Sequence, residues 1–94
     1  MSLVLFDALF GSKARARLIR FFLVNPGTAF SSAEVAEKTL VPRADVAREL
    51  TRLTKMKLLF ERSQKGKKHF IANEEFPFYT ELKSLVSKLN IHAQ

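Results

Sequence analysis

The amino-acid sequence predicts one small, mainly α-helical domain that carries a single β-hairpin. Three observations support this fold class. Apolar residues recur at spacings of three and four in several segments, which is the pattern of helices that cover a core. Most of these segments begin or end at a capping residue or a proline. Late in the chain, the pair Lys65-Gly66 separates two short apolar runs, as in a tight hairpin turn.

Composition limits the size and class of the protein. The chain has 94 residues, of which 47% are hydrophobic and nine are Phe, and this fits a single domain over residues 1–94 with one modest core. It contains no cysteine and two histidines, so we expect neither a disulfide nor a metal site, and no cofactor. The apolar start, "MSLVLFDALFGSK", lacks a basic leader and is too short to span a bilayer. We therefore expect a soluble, cytoplasmic protein.

The first half of the chain contains the helix signals. Leu5, Phe6 and Leu9 lie at helical spacing and predict an N-terminal helical arm over residues 1–11. Ser12 can cap a second helix over residues 13–24, which "NPG" ends.

The next two helices follow closely. In "FSSAEV", Ser31 and Glu34 have the spacing of a capping box, which predicts a helix over residues 32–39. Pro42 suits the first turn of a further helix, which we expect to extend to about Met56.

The second half predicts a hairpin and a last helix. "LLFERSQKGKKHFIAN" has the composition of two strands, over residues 58–63 and 68–72, with Phe60 and Phe70 facing inward. A C-terminal helix over residues 76–90 follows, with its apolar side chains at helical spacings.

Positive charge is concentrated in two segments. The formal net charge is +7. Residues 13–20 hold four basic residues and no acidic one, and residues 43–68 hold nine basic and three acidic residues. This makes a polyanion the leading class of partner. A membrane surface is the weaker choice, because the basic residues are divided between a helix and a hairpin rather than laid along one long amphipathic helix.

A helix, a tight turn, a second helix and a basic hairpin form the arrangement of a winged helix-turn-helix. Residues 35–53, "VAEKTLVPRADVARELTRL", resemble the helix-turn-helix of the arsenic-responsive and multiple-antibiotic-resistance repressors. "LFGSKARARLIRFF", "ELTRLTKMKLL" and "NEEFPFYTELKSLV" extend the resemblance over nearly the whole chain, and some similar regulators accompany nucleotidyltransferase domains. One departure is Leu40, which stands where the tight turn usually has Gly and predicts a longer or wider turn.

The resemblance implies a homodimeric regulator that binds double-stranded DNA sequence-specifically. A recognition helix over about residues 42–56 would enter the major groove, and a wing over residues 63–69 would contact the backbone or the minor groove. The residues implied to face bases are Arg43, Ala44, Ala47, Arg48 and Thr51. Those implied to face phosphates are Arg15, Arg17, Arg20, Arg52, Lys55, Lys65, Lys67 and Lys68.

Several alternatives remain open from the sequence. The basic face of residues 43–55 can be ordinary solvated surface, with Asp45 and Glu49 pairing to nearby arginines. Apolar side chains at the two ends of the chain can close on each other or form a dimer, and we prefer a dimer through Leu5, Phe6, Leu9, Phe78, Leu82, Leu85 and Leu89. The alternative function is a winged-helix protein–protein interaction module within a larger assembly. No residue pattern indicates an enzyme or an effector site.

Overall fold

The computed structural model describes residues 11–92, with side chains as far as Lys88. The elements in chain order are α1 (Lys13–Val24), β1 (Phe30–Ser31), α2 (Ser32–Thr39), α3 (Arg43–Lys55), β2 (Leu59–Gln64), β3 (Lys67–Ala72) and α4 (Tyr79–His92). The fold class is therefore confirmed as mainly α-helical with a hairpin. The predicted N-terminal arm, with Leu5, Phe6 and Leu9, lies outside the described residues.

α1 and α2 begin where the sequence places their caps, whereas α4 begins at Tyr79, three residues after its predicted start. The Ser12 hydroxyl accepts a hydrogen bond from the Arg15 backbone N–H at 3.3 Å, which starts α1. At α2 the capping box is complete: Ser31 Oγ accepts from the Glu34 N–H at 3.2 Å, and the Ser31 N–H donates to Glu34 Oε1 at 2.8 Å. Pro42 occupies the capping position of α3 rather than its first turn, so this helix begins one residue later than expected.

The turn between α2 and α3 is tight. Leu40 ends α2 in the left-handed conformation, with φ 60° and ψ 27°, and its N–H donates to the Ala36 carbonyl at 2.9 Å. The predicted widening of this turn is therefore wrong, because leucine itself adopts the conformation that glycine usually supplies. Val41 follows directly and is buried beneath the turn, at 5% exposure.

The hairpin belongs to a three-stranded antiparallel sheet of order β1-β3-β2. Lys65 and Gly66 both have positive φ, 52° and 78°, as the tightest hairpin turns require. The sequence does not predict β1. This two-residue strand pairs with β3, with Phe30 opposite Phe70. Phe70 is buried as expected, whereas Phe60 is 49% exposed, so its predicted inward position is wrong.

The core lies between α1, α3 and the sheet. α1 contributes Leu18, Ile19 and Phe22, each fully buried, and they meet Val46 and Leu53 of α3 within the same cluster. α4 packs against α1 from the other side. None of the helices in the described part of the chain is long and apolar enough to cross a bilayer.

Candidate nucleic-acid interface

A shallow hollow of about 440 Å³ lies between α3, the start of α2 and the hairpin; we call it the α3–hairpin hollow. It is lined by Ser31, Ser32, Ala33, Arg43, Ala47, Leu50, Thr51, Lys67, Lys68 and Phe70. Three separate stretches of chain therefore meet at one surface.

Five residues predicted to contact DNA line this hollow together. Arg43, Ala47 and Thr51 are spaced four apart, so they occupy one side of α3. Lys67 and Lys68 approach them from the first residues of β3. All five are exposed to solvent. The positive charges of α3 and of the hairpin therefore lie on the same side of the molecule.

The cations of the hollow are weakly neutralised. Among the described residues, no carboxylate pairs with Arg43 or Lys67. Lys68 Nζ lies 3.9 Å from Glu61 Oε2 in an exposed pair, which solvent screens. Thr51 Oγ1 donates to the Ala47 carbonyl at 3.1 Å, which leaves the hydroxyl oxygen able to accept a hydrogen bond.

The remaining cations of α3 form the intrahelical pairs considered from the sequence. Arg48 pairs with Asp45 on the exposed side of the helix, next to the exposed Ala44. Arg52 Nη1 lies 3.4 Å from Glu49 Oε2. These pairs reduce the charge of α3 outside the hollow.

Arg15 and Glu49 form a buried ion pair that sequence reasoning missed. Arg15 Nε donates to Glu49 Oε1 at 2.7 Å, and the two side chains are 12% and 3% exposed. The pair connects α1 to α3, so Glu49 holds α3 in place against α1. This placement does not suit the predicted phosphate contact of Arg15, because its guanidinium is already bound to a buried carboxylate.

The structure separates the other predicted phosphate ligands. Arg17 and Arg20 line a groove between α1 and α2 that shares no residue with the α3–hairpin hollow. Lys55 and Arg52 border a further depression beside Arg15. Lys65 is exposed at the tip of the hairpin. Only part of the predicted set is therefore gathered at one surface.

The predicted dimer residues of α4 and of the turn before it have different environments. Phe78 is 39% exposed and Leu85 is half-buried, so both present apolar surface. Leu82 is 6% exposed and belongs to the core of its own chain, which removes it from a contact between subunits. The side chain of Leu89 lies outside the described residues.

The start of α2 is the part of the site that the sequence analysis missed. "FSSAEV" was interpreted only as a helix start, but Ser31 also pairs with His69 in β3, which brings residues 31–33 to the hollow. The pKa of Glu34 is lowered, chiefly because the Ser31 backbone N–H donates to its carboxylate, with smaller contributions from His69 and Lys38. No cluster of metal-ligating side chains occurs in the described part of the chain.

We compared the chain with known protein families, curated proteins and solved structures. No family model matches the sequence, and no curated protein matches it. Among solved structures, HlyU from Vibrio cholerae is 17% identical with a TM-score of 0.69, over 98% of this chain and 91% of HlyU. The AntR antimony-specific transcriptional repressor is 21% identical with a TM-score of 0.72, over 97% of this chain and 78% of AntR. A predicted DNA-binding transcriptional regulator from E. coli is 16% identical with a TM-score of 0.63, over 93% and 83% of the two chains.

The chain has the winged helix-turn-helix fold. In this winged helix-turn-helix, α2 and α3 are the two helices of the motif, and β2 and β3 form the wing. The α3–hairpin hollow is thus the surface between the second helix of the motif and its wing.

Proposed function

We propose that this protein binds double-stranded DNA as a homodimer and regulates transcription, with α3 in the major groove and the wing on the backbone. The observation that carries the proposal is the α3–hairpin hollow. There, Lys67 and Lys68 of the hairpin lie on the same surface as Arg43 and the exposed face of α3. The neighbours agree in part: AntR is named a transcriptional repressor, and the E. coli protein is named a predicted DNA-binding transcriptional regulator.

The exposed side of α3 supplies the base contacts. An α-helix fits the major groove, and a guanidinium can donate two hydrogen bonds to the O6 and N7 atoms of guanine. Arg43 is the first choice for this contact because no carboxylate among the described residues competes for it, whereas Arg48 must first leave Asp45. Ala47 and Ala44 can meet thymine methyl groups, and the Thr51 hydroxyl can accept a hydrogen bond from a base.

The wing and the C-terminal half of α3 supply the phosphate contacts. Lys65, Lys67 and Lys68 are exposed at or beside the hairpin turn, and ammonium groups bind phosphate oxygens without regard to sequence. Arg52 and Lys55 lie in the last turn of α3, and we assign them to phosphates next to the bases that α3 contacts. We leave Arg15 out of the DNA surface because its guanidinium is bound to the buried Glu49, and we leave out Arg17 and Arg20 because they line the groove between α1 and α2.

Dimerisation involves the C-terminal region. Phe78 and Leu85 leave apolar surface uncovered there, and burying such surface favours association. A two-fold dimer presents two copies of α3 to half-sites about 34–36 Å apart. Sedimentation of the full chain tests this step, and Phe78→Glu should shift a dimer toward monomer. An unchanged mass for that variant would place the interface elsewhere.

The test of DNA binding begins with selection from a pool of random duplexes, followed by titration of the selected duplex at several salt concentrations. With roughly six phosphate contacts per dimer, the slope of log K against log salt should be near −5. Arg43→Ala should reduce discrimination between sequences, because it removes a base contact. The double variant Lys67→Glu, Lys68→Glu should weaken binding to all duplexes and flatten the slope.

The matched control is Lys57→Glu, which reverses one exposed charge between α3 and β2, at a residue that lines no part of the hollow and lies outside the C-terminal region. It should leave affinity nearly unchanged, and the single variant Lys67→Glu is its direct comparison. Equal losses for the two single variants would mean that net charge, not the hollow, drives binding. A flat salt dependence, or no enrichment of any duplex, would refute the proposal.

A further inference from the structure

A second concave surface lies between α1 and α2; we call it the α1–α2 groove. It has a volume of about 460 Å³ and is lined by Arg17, Arg20, Phe21, Val24, Lys38, Thr39 and Leu40. None of these residues lines the α3–hairpin hollow, although Leu40 also borders a further depression that contains Arg43.

The apolar part of the groove lining is open to solvent. The described part of the chain has four large hydrophobic side chains that are exposed, and two of them, Val24 at 50% and Leu40 at 82%, lie here. Phe21 is half-buried between them and the core, with its ring 4.7 Å from that of Phe30. Aliphatic surface of this kind gains nothing from phosphate groups and gains free energy from covering by other apolar groups.

Leu40 is the least expected residue in the groove. Its left-handed backbone, with φ 60°, is a conformation that leucine rarely adopts and glycine adopts readily. The Leu40 side chain is nevertheless 82% exposed, so the described residues give it no burial that would offset the backbone strain. Its side chain is therefore available for a contact that the described residues do not make.

The rim of the groove carries charge of one sign. Arg17 and Lys38 are exposed on its two sides, Arg20 also lines it, and no lining residue is acidic. An apolar floor between cationic sides is complementary to a segment that has apolar residues on one face and carboxylates beside them. The chain's own residues 1–10 contain a single acidic side chain, Asp7, which makes them a poor electrostatic match for this rim.

We infer that the α1–α2 groove is a docking site for an acidic, amphipathic segment of a partner protein. Val24 and Leu40 cover the apolar residues of that segment, and Arg17 and Lys38 pair with its carboxylates.

The experiment is selection of a displayed library of random 16-residue peptides against the full chain without DNA. Enriched peptides should combine carboxylates with leucine, isoleucine or phenylalanine at helical spacing. Synthetic copies should bind with an affinity that falls as salt rises. Val24→Lys and Leu40→Gly should each weaken binding at least tenfold.

Leu40→Gly keeps the result interpretable, because it relieves backbone strain and should raise thermal stability while it removes the docking side chain. The matched control is Lys67→Glu, which alters the α3–hairpin hollow and should leave peptide affinity unchanged.

Four outcomes would overturn the inference. The first is that the selected peptides are not enriched in acidic residues. The second is that the peptides bind the Leu40→Gly variant as tightly as they bind the wild type. A third is that Val24→Lys changes the sedimentation mass, which assigns the groove to a second copy of this chain. The last is that the double variant Arg17→Glu, Lys38→Glu loses as much duplex affinity as the double variant Lys67→Glu, Lys68→Glu. That result would assign the groove to DNA. Failure of DNA binding itself leaves the peptide measurement intact.

Discussion

The buried ion pair between Arg15 and Glu49 gives the sharpest prediction about stability. Arg15→Met keeps most of the aliphatic stem and removes the guanidinium. The Glu49 carboxylate is then left at 3% exposure with Arg52 at 3.4 Å as its nearest cation among the described residues, and the Arg52 side chain is 52% exposed. A carboxylate that loses its main partner without returning to water destabilises the folded state strongly.

The size of the effect follows from these exposures. Removing one partner of a fully buried pair costs about 3–5 kcal/mol, and the remaining Arg52 contact reduces this to about 2–3 kcal/mol. A domain of this size has a free energy of unfolding of about 5–10 kcal/mol. With a urea m-value of about 1–1.5 kcal/mol per molar, the unfolding midpoint should fall by roughly 2 M.

Urea unfolding followed by circular dichroism at pH 7 measures the change. The matched control is Arg48→Met, which breaks the exposed pair with Asp45 and should cost less than about 0.5 kcal/mol. The double variant Arg15→Met, Glu49→Leu should recover most of the loss, because it replaces a buried pair with apolar groups. Equal losses for Arg15→Met and Arg48→Met, or a double variant no more stable than Arg15→Met, would refute the reasoning.

Four further stability predictions use the same assay, the last of them as a function of pH. Leu40→Gly should raise the free energy of unfolding by about 0.5–1 kcal/mol, because the left-handed position no longer carries a side chain. Gly66→Ala should lower it by about 1 kcal/mol, since φ is +78° in the hairpin turn; an unchanged midpoint would mean that the turn relaxes. Ser31→Ala should cost about 1 kcal/mol by removing the α2 cap. The stabilisation that the Glu34 carboxylate gives the folded state should be complete above its ordinary pKa of 4.5. It should be lost as the pH falls through the lower pKa of the folded state, so the unfolding midpoints of wild type and Glu34→Gln should converge in acid.

Local signals in the sequence predicted the elements that local interactions determine. The start of α1 at Ser12 and the start of α2 at Ser31 depend on hydrogen bonds that span three residues. The Lys65-Gly66 turn depends on two adjacent dihedral pairs. Such features can be recognised from spacing alone, because every atom involved lies within four positions along the chain.

Features that depend on distant partners could not be recognised in this way. β1 has two residues, too few for any alternation, and exists because β3 offers backbone partners 38 to 40 positions away. Glu49 is expected on the surface because it is an acidic residue of a helix. It is nevertheless buried, in an ion pair with Arg15 of α1. Leu40 was expected to alter the turn, but the burial of Val41 and the hydrogen bond to Ala36 hold the tight geometry.

These missed long-range contacts are also what assemble the candidate site. β1 holds the start of α2 against the hairpin through the pair of Ser31 with His69, and the Arg15–Glu49 bond fixes α3 on α1. Without the first contact the wing lysines would lack a fixed position relative to the helix-turn-helix, and without the second the angle of α3 would be less constrained. A preorganised surface loses less conformational entropy on binding than a flexible one. Duplex affinity should therefore fall in Arg15→Met even under conditions where the variant remains folded, although Arg15 lines no part of the hollow.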